Sequence, residues 1–197
     1  MRIALGSDHR GAQIARAIFC EVLYPENCSE TGTAGSDPSS MADAVLVTGD
    51  PSKFGGLVGK KVENLLPLPP AAQGADEDPA STSPRRQIDY PDVAEVVARK
   101  VSRGEADFGI LVCGTGIGMC IVANKFRGVR AALCANEFTA ELSRRHNNAN
   151  VLCIPGELLG VTAATELVRR WLRTGYDGGR HQIRLDKIGV IESETGL

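Results

Sequence analysis

Short apolar runs alternate along the chain with segments whose apolar residues recur at helical spacing. The run at 2–6 is followed by a polar stretch and then by apolar residues at helical spacing through Val22, which predicts a strand, a loop and a helix. The same order recurs at 108–123, further strands are predicted near 129–133 and 151–154, and helices at 138–145 and 163–172. This alternation predicts βαβ units and a parallel sheet covered on both faces, whose ligands bind beyond the carboxyl ends of the strands.

The stretch 24–87 interrupts this rhythm, because it is rich in proline, glycine, serine and alanine. We interpret it as a loop-rich insertion around the second strand of a single domain that spans residues 1–197. Within it, 44–48 is the best candidate for that strand, and 54–66 is predicted to hold a short helix or an extended piece. The composition offers little apolar surface, so we expect a mobile, surface-exposed segment rather than an ordered lid.

Composition narrows the class of protein. The 197 residues are 43% hydrophobic and 23% charged, which is typical of one soluble domain with a real core. The net charge of −2 gives no reason to expect a nucleic-acid or membrane surface. No apolar stretch suits a membrane span or a signal peptide, and the six cysteines form no C-x-x-C pair. We therefore expect a cytoplasmic protein in a reducing compartment.

The segment Cys113-Gly-Thr-Gly-Ile-Gly118 lies where a predicted strand meets a helix. Its glycines allow backbone amides to surround an anion at the start of the helix, although the segment fits neither the Walker sequence nor the dinucleotide fingerprint. A thiol at the last strand residue faces the positive end of the helix dipole, which favours the thiolate. From spacing alone, Cys113 fits a reactive thiol and a buried core thiol equally well.

The three histidines, His9, His146 and His181, fall at predicted element ends, and we expect all three near the ligand-binding edge. Histidine is the usual general acid or base near neutral pH, although a lone histidine is often structural. Arg180 and Arg184 are four residues apart, so they share one face if the segment is helical. That face suits a phosphate, or it is simply solvated; spacing leaves both interpretations open.

Together these groups offer a thiolate base, an anion-binding loop, imidazoles and paired arginines, without a metal-ligand spacing pattern. Such a set suits proton abstraction next to the carbonyl of a phosphorylated substrate. The amides would stabilise the enediolate oxygen, and the arginines would hold the phosphate.

Six motifs can be recognised in chain order. They are Gly6-Ser-Asp-His-Arg-Gly11, Asp89-Tyr-Pro91, Cys113-Gly-Thr-Gly-Ile-Gly118, Ala123-Asn-Lys-Phe126, Arg145-His-Asn147 and Gly178-Gly-Arg-His-Gln-Ile-Arg184. Together they resemble the ribose-5-phosphate isomerase B family, which also includes galactose-6-phosphate isomerase subunits. The resemblance covers residues 1–23 and about 88–186.

The resemblance implies a Rossmann-like, three-layer α/β/α fold with a mostly five-stranded parallel sheet. It also implies a homodimer with shared active sites, either alone or paired into tetramers. The implied activity is the interconversion of ribose 5-phosphate and ribulose 5-phosphate through an enediolate, a reaction of the pentose phosphate pathway, without a metal or an organic cofactor.

The same resemblance implies a role for each matching residue. Cys113 resembles the base that moves the proton between C2 and C1, and His146 resembles the acid that opens the furanose ring. The other implied contacts are Thr115 and the amides of Gly114, Gly116, Ile117 and Gly118 for the enediolate, Asp8, Tyr90 and Asn147 for the sugar hydroxyls, and His9, Arg180 and Arg184 for the phosphate.

One residue of the matched region departs from the family pattern. Glu157 stands where the family commonly has an arginine, ten residues after Asn147. A carboxylate cannot bind phosphate by charge, so this contact is absent or is made by a neighbour such as Arg10 or Arg145.

Two other functions stay open. One is the isomerisation of a phosphohexose, allose 6-phosphate or galactose 6-phosphate, because pocket depth rather than a motif accommodates the extra carbon. The other is a phosphometabolite-binding module without turnover, which predicts loss of the base or of the ring-opening histidine.

Overall fold

The computed structural model describes residues 1–23, 44–48, 62–64 and 89–196. In these ranges the strands are β1 (Arg2–Ser7), β2 (Ala44–Thr48), β3 (Val62–Asn64), β4 (Phe108–Cys113), β5 (Ala131–Leu133) and β6 (Val151–Pro155). The helices are α1 (Ala12–Ala17), continued by a π-helical turn at Ile18–Leu23, α2 (Tyr90–Ser102), α3 (Ile117–Ala123), α4 (Glu137–Asn147), α5 (Val161–Arg173) and α6 (Arg180–Glu194). Every strand and helix predicted outside the insertion is present. The structure also contains α2 and the full length of α6, which the sequence did not predict.

The strands form one sheet in the order β3-β2-β1-β4-β6-β5. β1, β4, β6 and β5 are parallel, whereas β2 pairs antiparallel with both β1 and β3. The α/β class is confirmed, but the mostly five-stranded parallel sheet is corrected to four parallel strands with an antiparallel pair at one side. The apolar run of β2 has the same pattern in either direction, so the sequence could not predict its orientation.

Little of the predicted insertion at 24–87 can be compared with the structure. The strand predicted at 44–48 is present, and β3 is an extended piece within the predicted segment 54–66. The rest of that prediction, including mobility against an ordered lid, lies outside the described residues.

Side chains along β4 alternate between two buried cores, one on each face of the sheet. Ile110 and Val112 pack in the core that α1 and α5 cover, where Trp171 is fully buried. Leu111 and Cys113 pack in the core that α2 and α3 cover. The candidate thiol therefore faces the helix that follows the glycine loop.

The parallel strands define two edges of the sheet that matter for function. The carboxyl edge is formed by the ends of β1, β4, β5 and β6, at Ser7, Cys113, Leu133 and Pro155. α4 leaves this edge after β5 and runs back across the sheet, so Asn147 lies at the opposite, amino edge, shortly before β6 begins. The five residues of β6 separate the two edges by about 13 Å.

Two further features concern the class of protein. No helix among the described residues is long and apolar enough to cross a membrane. Cys20 is disulfide-bonded, which the cysteine spacing did not indicate, whereas Cys113, Cys120, Cys134 and Cys153 are free. The free thiols lie in or against the two cores, as expected for small hydrophobic side chains.

Candidate active site

A turn built on Asp8 carries the first candidate residues, at the end of β1. Asp8 is buried, and its Oδ1 accepts hydrogen bonds from the amides of Arg10 and Gly11, both at 3.0 Å. The amide of Asp8 donates to the carbonyl of Val112 at 3.3 Å. A Cβ on Gly11 would lie 2.2 Å from that carbonyl oxygen, so only glycine lets the turn rest on β4. The turn therefore holds the exposed side chains of His9 and Arg10 at the carboxyl edge.

Cys113 is the last residue of β4, and it is only 5% exposed. Its Sγ accepts a hydrogen bond from the amide of Gly116 at 3.2 Å. Gly116 has a φ of +72°, and a Cβ there would lie 2.5 Å from a methyl group of Leu133, so the position of this amide requires glycine. Cys113 is therefore buried in the core and also hydrogen-bonded by the glycine loop, and its role as a reactive thiol stays a prediction.

The rest of the glycine loop lies between solvent and Tyr90. Thr115 and Ile117 are exposed, and the amide of Ile117 donates to Thr115 Oγ1 at 3.4 Å. A Cβ on Gly118 would lie 2.5 Å from the ring of Tyr90, so this ring rests directly on the loop. A capping box at the start of α2 fixes the backbone at Tyr90. The loop, Tyr90 and the turn after β1 therefore form one group at the carboxyl edge.

Glu157 joins this group from the turn after β6. Its amide donates to the carbonyl of Gly114 at 3.0 Å, and its Oε1 lies 3.5 Å from Nη1 of Arg10. A Cβ on Gly114 would lie 3.1 Å from side-chain carbons of both residues, so the ion pair covers this glycine. Arg10 and Arg145 were the two neighbours expected to make the phosphate contact in place of Glu157. Arg10 lies beside Glu157 at the carboxyl edge, whereas Arg145 lies at the amino edge.

A second group of candidate residues lies at the amino edge, where α4 ends and α6 begins. The rings of His146 and His181 stack, with 4.2 Å between centroids and 7° between planes. Arg145 Nε lies 3.2 and 3.1 Å from the two carboxylate oxygens of Asp177, whose amide donates to the Arg145 carbonyl at 3.0 Å. These contacts fasten the start of α6 to the end of α4, next to the exposed Asn147.

Two residues of this second group have shifted pKa values. The hydrogen bond from Arg145 is the largest cause that lowers the pKa of Asp177, so this carboxylate stays ionised well into the acidic range. Burial is the largest cause that lowers the pKa of His181, and the positive charges around it add to the effect. His181 is therefore neutral near pH 7.

The start of α6 also carries the predicted arginine pair. Arg180 and Arg184 are exposed and lie one turn apart on this helix, so the helical spacing predicted for them is confirmed. Asp177 was not among the residues predicted for the site. Its signal in the sequence was its position directly before the motif that begins at Gly178.

Within one chain, the predicted site residues fall into two groups at opposite edges. The carboxyl-edge group contains Asp8, His9, Tyr90, Cys113, Gly114, Thr115, Gly116, Ile117 and Gly118, and the amino-edge group contains His146, Asn147, Arg180 and Arg184. The prediction that all three histidines lie near the ligand-binding edge is therefore wrong for His146 and His181. The reason is that α4 carries the chain back across the sheet before the second histidine is reached.

One set of three side chains, among those the structure describes, has metal-ligand atoms within 4.8 Å of one another: His146, Asp177 and His181. Both oxygens of Asp177 already accept hydrogen bonds from Arg145, and the arginines of α6 add positive charge. Positive charge opposes a cation, so these residues fit an anion such as a phosphate better than a metal ion. The absence of a metal and of an organic cofactor stays a prediction.

Comparison with known proteins gives consistent matches. The family model of the ribose/galactose isomerases matches residues 60–188. The ribose-5-phosphate isomerase B of Escherichia coli is 48% identical over 106 residues, which cover 54% of this chain and 71% of that protein. A ribose 5-phosphate isomerase of Thermotoga maritima aligns in structure over 95% of this chain and 97% of its own, at 34% identity and a TM-score of 0.63. The ribose-5-phosphate isomerase B of Mycoplasma genitalium with bound ribulose-5-phosphate aligns over 55% of this chain and 72% of its own, at 47% identity and a TM-score of 0.53.

Proposed function

The chain belongs to the ribose/galactose isomerase family, and from this premise we propose that it interconverts ribose 5-phosphate and ribulose 5-phosphate. The proposed reaction passes through an enediolate and uses neither a metal nor an organic cofactor. The observation that carries this proposal is the hydrogen bond from the amide of Gly116 to Cys113 Sγ, at the edge where parallel sheets bind ligands. The relative from Mycoplasma genitalium that holds ribulose-5-phosphate supports the choice of sugar.

In the proposed reaction, Cys113 moves one proton between two carbon atoms. The thiolate takes the proton from C2 of the open-chain aldose, the electrons of that bond form the C1–C2 double bond, and negative charge develops on O1. The loop amides from Gly114 to Gly118 and the hydroxyl of Thr115 stabilise this charge. A proton then moves from O2 to O1, the C2–O2 bond becomes a carbonyl, and return of the carbon-bound proton to C1 gives the ketose. Asp8 and Tyr90 hold the sugar hydroxyls, and His9 lies on the phosphate side.

We propose that the remaining groups of each active site come from a second copy of the chain. His146 would donate the proton that opens the furanose ring, Asn147 would contact a hydroxyl, and Arg180 and Arg184 would bind the phosphate. The separation of about 13 Å between the two edges supports this, because one chain cannot present both groups to one small substrate. The proposed assembly is a homodimer with two shared sites.

The exposed apolar surface supports the same assembly. Eight large apolar side chains of the described residues are exposed on α3, β5, α4 and α6: Ile117, Ile121, Leu133, Phe138, Ile183, Ile188, Val190 and Ile191. Surfaces of this kind usually mark an interface with another protein. A second copy that covers them would remove this apolar area from water.

The proposal is tested by a coupled assay of ribose 5-phosphate conversion with wild type and Cys113→Ala. Loss of a general base costs between about 10² and 10⁴ in rate, so we expect kcat to fall by about 10³-fold with little change in KM. Cys134→Ala is the matched control, because it removes a buried thiol from the other face of the sheet. Near-normal kcat in Cys113→Ala would rule out the assignment of the base.

The same preparation can decide between a pentose and a hexose. The family is described by both ribose and galactose, so kcat/KM should be compared for ribose 5-phosphate, allose 6-phosphate and galactose 6-phosphate. We expect the highest value for ribose 5-phosphate. A higher value for either hexose phosphate would replace the proposed substrate while leaving the role of Cys113 in place.

A further inference from the structure

Three free thiols lie on the same side of the sheet, and the proposed function uses only one of them. Cys113 and Cys153 both belong to the core that α2 and α3 cover, and Cys120 of α3 packs against that core. Cys153 is fully buried, whereas Cys120 is partly exposed. The pair Cys120 and Cys153 therefore has one thiol that solvent can reach and one that it cannot.

The contacts of Cys120 direct its sulfur toward the sheet. Its Sγ lies 3.5 Å from the carbonyl oxygen of Ala131 and 3.6 Å from Nδ2 of Asn124. Ala131 is in β5, whose Leu133 is the register partner of Cys153 in β6. Cys120 and Cys153 therefore lie in or against one core, on a helix and a strand that pack together, and each thiol shifts the pKa of the other.

The two thiols differ in their tendency to ionise. The hydrogen bond with Cys153 is the largest cause that lowers the pKa of Cys120 to about 7, and the same contact together with burial raises the pKa of Cys153 well above its usual value. Near pH 7, Cys120 is therefore often a thiolate and Cys153 is a thiol. A partly exposed thiolate beside a second thiol is the arrangement that reacts with peroxides and then forms a disulfide.

We propose that Cys120 and Cys153 are a reversible oxidation site that reacts with hydrogen peroxide. The Cys120 thiolate attacks one peroxide oxygen, the O–O bond breaks, and the products are a Cys120 sulfenic acid and, after protonation, water. The Cys153 sulfur then attacks the Cys120 sulfur, and the hydroxyl group leaves as a second water. Two thiols have lost two electrons to one peroxide, and an external dithiol restores them.

The location of the pair gives oxidation a route to the catalytic thiol; this part of the inference rests on the proposed function. The amide of Cys120 donates to the carbonyl of Gly116 at 3.1 Å, and the amide of Gly116 donates to Cys113 Sγ. A disulfide between Cys120 and Cys153 ties α3 to β6 one turn beyond this amide. We expect the displaced amide to lower kcat until the disulfide is reduced.

The first test reads the chemistry without any activity assay. Reduced full-length protein is treated with hydrogen peroxide, the remaining thiols are blocked with N-ethylmaleimide, and peptides are analysed by mass spectrometry. We expect the Cys120–Cys153 disulfide to form, to disappear with dithiothreitol, and to be absent in Cys120→Ser and Cys153→Ser. Cys134→Ser is the control and should still form it. A Cys120 that stays reduced, stops at the sulfenic acid or pairs with another cysteine would overturn the proposal.

The second test adds activity and pH. Iodoacetamide should modify Cys120 with a rate that is half-maximal near pH 7, since its pKa is about 7. Cys120→Ser should keep the basal isomerase rate. Under peroxide it should lose activity at least about fivefold more slowly than wild type, whereas Cys134→Ser should lose activity at the wild-type rate. Equal inactivation of wild type and Cys120→Ser would overturn the link to catalysis. If the protein has no isomerase activity, the disulfide measurement still decides the oxidation site, so the two failures remain distinguishable.

Discussion

The carboxyl edge and the amino edge of the sheet hold their candidate residues by different physical means. At the carboxyl edge, position depends on the backbone, because the amide of Gly116 donates to Cys113 and glycines allow the close approach of the turns. At the amino edge, position depends on side chains, because Arg145 binds Asp177 and two imidazoles stack. The first group should therefore respond to changes at glycine, and the second group to changes of charge.

This difference matches the chemistry proposed for each edge. Proton transfer needs the base and the enediolate amides held close to one geometry, which a backbone loop provides. Phosphate binding depends on charge, which the exposed arginine side chains on α6 can supply. In the proposed dimer, each site would combine a rigid half from one chain with a charged half from its partner.

The largest expected effect comes from mixing two inactive variants. Cys113→Ala removes the base from the carboxyl edge, and His146→Ala removes the acid from the amino edge. If the sites are shared, a heterodimer of the two has one site with both groups intact and one with neither. Co-refolding equal amounts should restore about one quarter of the wild-type rate, from two nearly inactive parents.

The coupled assay on the mixed sample is the measurement. A mixture of Cys113→Ala with Cys113→Ser is the control and should stay inactive, because both lack the same group. Should the first mixture stay inactive although native mass spectrometry shows heterodimers, both groups would have to act within one chain, which contradicts the separation of the two edges.

The parts of the fold that depend on short stretches of sequence were predictable. β1, β4 and β6 are apolar runs buried on both faces, so their pattern is strong, and their turns contain glycine at positions that need it. The orientation of β2 was not predictable, since pairing direction depends on the connection and not on the apolar run. The capping box at Asp89 is a local motif that the sequence contains. The contact between the start of α2 and Gly118 is tertiary, so the sequence does not indicate it.

The candidate site shows the same limit. The loop at Cys113 was predictable because its glycines indicate, from the sequence alone, a backbone that adopts a positive φ or is approached closely by its neighbours. The location of His146 was not, because it depends on how far α4 runs back across the sheet. The contact of Arg145 with Asp177 joins residues 32 positions apart, and no spacing rule connects them.

The next largest effect is expected at the glycine loop. Gly116→Ala must accommodate a φ of +72° and a Cβ 2.5 Å from Leu133, so it should shift the amide that donates to Cys113. Loss of one such donor costs about 10²-fold in kcat, and the backbone strain costs about 1–3 kcal/mol of unfolding free energy. The coupled assay measures the change in kcat, and urea unfolding measures the change in the free energy of unfolding.

Gly128→Ala is the matched control for this prediction. Gly128 has the same φ of +72° with nothing within 4 Å of the added Cβ, so it reports strain alone. We expect a loss of stability of about 1 kcal/mol with unchanged kcat. Similar kcat values in the two variants would mean that the amide of Gly116 does not assist the reaction.

A smaller effect is expected from the charge that fastens α6 to α4. Asp177→Asn keeps the amide that donates to the Arg145 carbonyl but weakens the ion pair, which should lower kcat/KM by about tenfold through looser placement of His146 and Arg180. Arg145 lowers the pKa of Asp177, so the pair persists above that lowered pKa and is lost only as pH falls through it. The ratio of wild type to variant should therefore be equal at pH 6 and pH 8. Asp186→Asn, an exposed carboxylate on the same helix, should change kcat/KM little, and an equal loss in both variants would contradict the role of the pair.

The smallest expected effect is a difference between the two edges in how their histidines change the pH dependence of Tm. The pKa of His181 is lowered in the folded protein, mainly by burial, so the unfolded chain binds the proton first as pH falls through about 6.5. Stability from this group is therefore present at pH 8 and is lost on acidification. His181→Phe keeps a ring to stack on His146 but cannot take up a proton, so its Tm should fall less than that of wild type between pH 8 and pH 5, by on the order of 2 °C. His9→Phe removes an exposed imidazole from the carboxyl edge and should keep the wild-type pH dependence of Tm. If instead His9→Phe flattens the curve and His181→Phe does not, the pH-sensitive charge lies at the backbone-built edge, and the contrast between the two edges fails.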